Sequence, residues 1–196
     1  MKMNPKDILV PTVSLFVICL VATALLALVN NVTKDKIAEQ VALSEAAARK
    51  AVLTEAKEFK EVDVNGDKVI DNNDYYEGLD ANGNVIGYVF NTIGDSKGYG
   101  GDVSVTVGVD TEGVITGIVP GDLSNETPGL GQNAGKETWQ AQFKGESGDL
   151  VVEKNIDPKA IDGKINALTS ATITSKAVTS SVNVALDMFD EIGGAK

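Results

Sequence analysis

Val103-Ser104-Val105-Thr106-Val107-Gly108-Val109-Asp110-Thr111-Glu112-Gly113-Val114-Ile115-Thr116-Gly117-Ile118-Val119 decides the architecture of the folded part of the chain. Its valines alternate with Ser104, Thr106 and Gly108, the period of a half-buried strand with one apolar face. Thr111-Glu112-Gly113 has turn chemistry, and Val114 to Val119 returns as a pairing strand. Upstream, Tyr75 to Leu79 and Val85 to Asn91 flank a second turn, Asp80-Ala81-Asn82-Gly83. Tyr99-Gly100-Gly101 opens the Val103 hairpin, as a plain bend or as a place where backbone approaches a ligand. Downstream, Leu150 to Glu153 reads as a short strand, with turns at Asp157-Pro158 and Asp162-Gly163. The fold class expected is α+β, an antiparallel sheet with flanking helices.

Toward the N-terminus the period changes. Ile8 to Thr33 carries no charge, and its first 22 residues, to Val29, are mostly Leu, Val, Ala and Ile. About 20 apolar residues cross a bilayer core as a helix. A cleaved signal peptide has an apolar region of only about 7–15 residues, so the run reads as an uncleaved, single-pass anchor. Pro11 is expected in its first turn, where a missing N–H costs little. Lys2 and Lys6 precede the span and Lys34 and Lys36 follow it, so flanking charge sets no orientation. Ile37, Val41, Ala48, Val52 and Phe59 then recur at helical spacing without Gly or Pro, a stalk continuing the anchor. The expected division is a tail at 1–7, a transmembrane helix at 8–30, a stalk helix at 31–60 and a globular domain at 61–196.

Composition excludes several functions. The 196 residues hold 17 Lys+Arg against 28 Asp+Glu, a net charge of −11, which repels nucleic acid. There is no His, so His-based triads and ordinary zinc hydrolase sites are out. The single cysteine, Cys19, lies in the apolar run, so no intrachain disulfide or thiolate cluster forms. No G-x-G-x-x-G follows a strand, so the chain offers no dinucleotide site of its own.

Residues 61–74 are acidic. Counted from Asp63, side-chain oxygens fall at positions 1, 3, 5, 9 and 12: Asp63, Asn65, Asp67, Asp71 and Asp74. That is the spacing of a calcium loop, with Ile70 at its apolar position. Lys68 stands where the sharp turn normally takes Gly, and a solvated acidic turn is the competing reading.

Two segments carry the functional expectation. Asn125-Glu126-Thr127-Pro128-Gly129-Leu130-Gly131 is a tight Pro-Gly turn whose backbone N–H groups and hydroxyl could edge a ligand. Trp139 and Phe143, one helical turn apart in the segment beyond it, read as core. Asn166-Ala167-Leu168-Thr169-Ser170-Ala171-Thr172 is a hydroxyl-dense loop entering a helix, whose apolar face is Val178, Val182, Ala185 and Phe189. Thr172 or Thr174 could cap that helix, and the helix start is also a seat for a phosphate.

The second segment resembles the flavinylation motif Asp-x-x-(Ser/Thr)-Gly-Ala-Thr, shared by the G subunit of Rnf complexes and the C subunit of Nqr complexes. Glu126 to Gly131 matches that family's second signature, Glu-Thr-Pro-Gly-Leu-Gly, without departure. In the first motif Asn166 replaces the usual Asp, removing a charge that helps position a metal-bound FAD donor. Ser170 replaces the usual Gly, adding a Cβ where the backbone needs freedom. Anchor, stalk, Gly-Tyr-Gly-Gly hairpin and both signatures fit the family; the acidic segment stands outside it.

The resemblance implies covalent FMN on Thr172, with Glu126, Thr127, Leu130, Gly131, Thr169, Ser170 and Ala171 around it. It implies an extracytoplasmic domain, a flavin transferase for maturation, and other membrane and peripheral subunits as partners. The protein would be an electron carrier within an ion-translocating oxidoreductase that couples ferredoxin oxidation and NAD reduction to Na⁺ or H⁺ export. The C subunit of an Nqr complex is the near alternative. A non-redox, membrane-anchored module binding Ca²⁺ at Asp63 to Asp74 is the distant one.

Overall fold

The computed structural model describes residues 5–62, 75–157 and 163–193. The calcium-loop candidates Asp63, Asn65, Asp67, Asp71 and Asp74 lie outside the described residues. Contacts divide the chain into Met1–Ser44 and Glu45–Lys196.

The first unit belongs to one long helix, α1 (Pro5–Val52), long and apolar enough to cross a membrane. Three of the sequence expectations need correction here. Among the described residues the helix runs from Pro5, so residues 5–7 are helical rather than tail, and Pro11 lies beyond the first turn. At the other end the helix stops at Val52, and 53–60 are not stalk: β1 (Glu58–Val62) begins there. The cause is tertiary. Leu53 and Ala56 leave the helical path to pack under the sheet, against Val89. A Cβ on Gly78 would lie 2.3 Å from the Leu53 side chain, so the sheet is built with a gap for it.

The second unit is an antiparallel sheet in the order β1-β2-β3-β4-β5, with β2 (Tyr75–Leu79), β3 (Val85–Ile93), β4 (Ser104–Asp110) and β5 (Ile115–Pro120). Asp80 closes the β2–β3 turn. Its carboxylate accepts from the Asn84 side chain and from the backbone N–H groups of Asn84 and Asn82, which holds its pKa below the usual carboxylate range. One sheet face, with Phe90, Val105, Val107, Val109, Ile115 and Ile118, packs on Val178, Val182, Ala185 and Phe189 of α3 (Thr172–Glu191).

β4 is not half-buried as its alternation suggests; Thr106 and Gly108 are buried too. The end of α1 covers that second face. A Cβ on Gly108 would come within 2.6 Å of the Val52 carbonyl, and Thr116 donates its hydroxyl to that carbonyl.

Between sheet and α3 the chain makes a short 3-10 helix (Gly131–Gly135) and α2 (Glu137–Gln140). Trp139 and Phe143 are core residues, packed edge to face at 5.3 Å. β6 (Val151–Glu153) pairs in parallel with β7 (Lys164–Asn166), a strand that sequence reading missed. The Trp139 indole N–H donates to the Asn166 carbonyl at 2.9 Å, tying the core to the loop that enters α3.

Candidate functional site

Three loops meet at the start of α3. The Pro-Gly turn forms as its residues dictate. The Leu130 N–H closes onto the Thr127 carbonyl at 3.1 Å, and Gly129, third in the turn, has φ +76°, open to glycine at no steric cost. Glu126, just before it, is 3 % exposed and holds the loops together. One carboxylate oxygen accepts from the Gly100 N–H at 2.9 Å, the other from the Thr174 hydroxyl at 2.6 Å. The second distance is that of a charge-assisted O–H···O⁻ bond. Gly98 and Gly131 leave room for the carboxylate; a Cβ on either would lie 2.4 Å from one of its oxygens. Tyr99-Gly100-Gly101 is a bend, as expected, and Gly100 there packs on the Asn125 backbone, so the bend is also a loop-to-loop contact.

The hydroxyl-rich loop is braced by Ser175. Its Oγ accepts from the Leu168 N–H at 2.9 Å and donates to the Ala171 carbonyl at 3.0 Å. Neither Thr172 nor Thr174 caps the helix, contrary to expectation. Ala171 occupies the cap position, with no side-chain cap bond. Thr174 is buried, its hydroxyl drawn instead to the charged acceptor Glu126. Thr172 is the first helical residue and half-buried. The first N–H groups of any helix lack intrahelical acceptors, so those beside Thr172 are available to an anion.

These loops line a cleft of about 530 Å³. Glu126, Thr127, Leu130, Gly131, Ser170, Ala171 and Thr172 all line it; Thr169 is exposed and does not. Four residues not singled out as ligands from the sequence join them: Tyr99, Lys154, Ile173 and Thr174. Tyr99 sits in the quoted Gly-Tyr-Gly-Gly segment, and Thr174 beside the motif. Lys154 carried no local signal. Tyr99, Leu130 and Ile173 are exposed apolar side chains on this cleft.

Ser170 lies third in a turn closed by the Ala171 N–H on the Leu168 carbonyl, with φ +60°. A side chain there costs about 1–2 kcal/mol relative to glycine. Ser170→Gly is therefore expected to stabilise the domain by about 1 kcal/mol, a rise in Tm of roughly 2–4 °C. Thermal unfolding of the two proteins checks it; an unchanged or lower Tm would show the turn unstrained.

Residues 98–187 match the FMN-binding domain family, and residues 1–52 match the RnfG N-terminal region. The chain is 40 % identical over 190 residues to the G subunit of the Na(+)-translocating ferredoxin:NAD(+) oxidoreductase complex of Acetobacterium woodii, covering 91 % of this chain and 89 % of that one. It is 34 % identical over 198 residues to the G subunit of the proton-translocating ferredoxin:NAD(+) oxidoreductase complex of Clostridium ljungdahlii, covering 98 % and 97 %. Its fold is like that of NqrC from Shewanella oneidensis, with a TM-score of 0.53, 18 % identity and 70 % of each chain covered.

Proposed function

The chain belongs to the G-subunit family of ion-translocating oxidoreductase complexes, the Rnf complexes, and we propose that it carries FMN covalently on Thr172 as an electron-transfer subunit. The complex would couple ferredoxin:NAD oxidoreduction to Na⁺ or H⁺ translocation, as the names of its relatives state. α1 would anchor it, with the domain outside the cytoplasm and the other subunits of the complex as partners.

One observation carries this reading: two segments some forty residues apart, Glu126–Gly131 and Ser170–Thr172, share one cleft with a hydroxyl at a helix start. The donor set suits FMN. The helix N-terminus and the Thr172 hydroxyl suit its phosphate end. The exposed apolar side chains of Tyr99, Leu130 and Ile173 suit a flat aromatic ring. The gap at Gly131 gives the Glu126 carboxylate room in the cleft wall.

FMN supplies the redox chemistry when bound. The chain's own residues hold and orient it. In maturation the Thr172 oxygen would bond to the flavin-side phosphorus of FAD as the anhydride bond breaks, AMP leaving with that electron pair and the hydroxyl proton passing to the transferase. Thr174 cannot compete while its hydroxyl is buried on Glu126. Attachment through phosphate leaves the ring's redox atoms unmodified and retains the flavin outside the cell.

Intact mass with peptide mapping tests the proposal: an FMN adduct is expected on the peptide holding Thr172, and unmodified protein from cells making the transferase would overturn it. Calcium at Asp63, Asn65, Asp67, Asp71 and Asp74 is a separate proposal resting on spacing alone, with Kd on the order of 10⁻⁴–10⁻³ M. Calorimetric titration decides it; no heat at millimolar Ca²⁺ leaves an acidic loop.

A further inference from the structure

Among the described residues Lys154 is the one cation lining the cleft, and it forms no ion pair with another of them. Its place follows from the parallel pairing. Glu153, the end of β6, lies opposite Asn166, the end of β7. Parallel strands end on the same side, so the residue after β6 and the loop after β7 emerge together. That loop leads directly to Thr172. Beyond Lys154 the backbone turns at once, with Asn155 at φ +56°. The neighbouring acid does not claim the ammonium, because Glu153 pairs with Lys164 at 2.6 Å.

Charge gives Lys154 its consequence. The chain carries a net −11, and the Glu126 carboxylate lines the same cleft. A phosphodiester brought to Thr172 therefore enters a field of its own sign. We propose that Lys154 is the positioning residue for that phosphate, its ammonium pairing with the non-bridging oxygens of the donor's flavin-side phosphate before transfer and of the threonine phosphodiester after it. The proposal rests on Thr172 as the attachment point. A solvated surface lysine would leave attachment indifferent to its charge.

The test is a loading time course. Purified full-length chain is incubated with flavin transferase and FAD, and occupancy of the Thr172 peptide is followed by mass spectrometry. Lys154→Gln should lower the initial rate by about twofold to fivefold, the range of an exposed ion pair. Lys154→Glu should lower it further, and added salt should narrow its gap from wild type. Lys154→Arg, which keeps the charge, should load within about twofold of wild type. All three variants should share the wild-type Tm, because Lys154 is exposed. If wild type loads and the Gln and Glu variants load equally fast, Lys154 has no such role and the attachment reading stands. If wild type takes no adduct at Thr172, the attachment reading fails and this proposal with it.

Discussion

Thr172→Val should leave a folded protein with no flavin after denaturation. The substitution keeps the branched shape and removes only the hydroxyl. That hydroxyl makes no cap bond, so its loss should change stability by less than about 1 kcal/mol. The effect on attachment should be total, because no other nucleophile among the described residues is equivalently placed. Thr174 is 2 % exposed and donates to Glu126. Ser175 braces the loop from a fully buried position. Thr169 is exposed but does not line the cleft. Ser170 does line it, two residues before the helix. Thr172→Ser should still load, more slowly if the methyl group orients the oxygen. In-gel flavin fluorescence and intact mass of the three proteins settle the point. Covalent flavin persisting in Thr172→Val would move the attachment elsewhere, with Ser170 the first residue to examine.

Local pattern reached most of the sheet and stopped where contacts are distant. The alternation from Val103 to Val109 placed a strand and its apolar face, because a period of two is a property of neighbours. It could not show that Thr106 and Gly108 are buried as well. The cover of Gly108 comes from Val52, more than fifty positions away in the chain. The helix end at Val52 was illegible for the same reason. Nothing between Lys34 and Phe59 breaks a helix, and what ends it is the space beside Gly78 that receives Leu53. At three residues, β7 is too short to show a period. In the cleft, the two signatures were legible as segments, but the bond between Glu126 and Thr174 spans 48 positions. Thr174 therefore looked like a helix cap when its hydroxyl had a stronger acceptor across the site. Lys154 enters the cleft only through the parallel pairing of β6 and β7.

Glu126→Ala should be the most damaging single substitution in the site. Glu126 is the only side chain bonded both to the Gly100 loop and to the first turn of α3 among the described residues. Truncation leaves the Gly100 N–H and the buried Thr174 hydroxyl without their acceptor, and opens a void where Gly98 and Gly131 made room for the carboxylate. Two bonds to a charged group lost from a buried site cost about 3 kcal/mol. For a domain of this size that is a fall in Tm of roughly 6–12 °C. Glu126→Gln separates charge from shape. Its amide oxygen can still accept from Gly100 N–H and its NH₂ can donate to Thr174, whose own proton then lacks an acceptor, so about 1 kcal/mol is expected. A double-mutant cycle isolates the bond. Thr174→Val removes the donor that Glu126→Ala orphans, so the double variant should be more stable than the sum of the single losses predicts. Denaturant unfolding of the detergent-solubilised chain measures all four. Strict additivity, or an unchanged midpoint in Glu126→Ala, would mean that the carboxylate does not clamp the loop to α3, and that the Pro-Gly turn holds the cleft's shape without it.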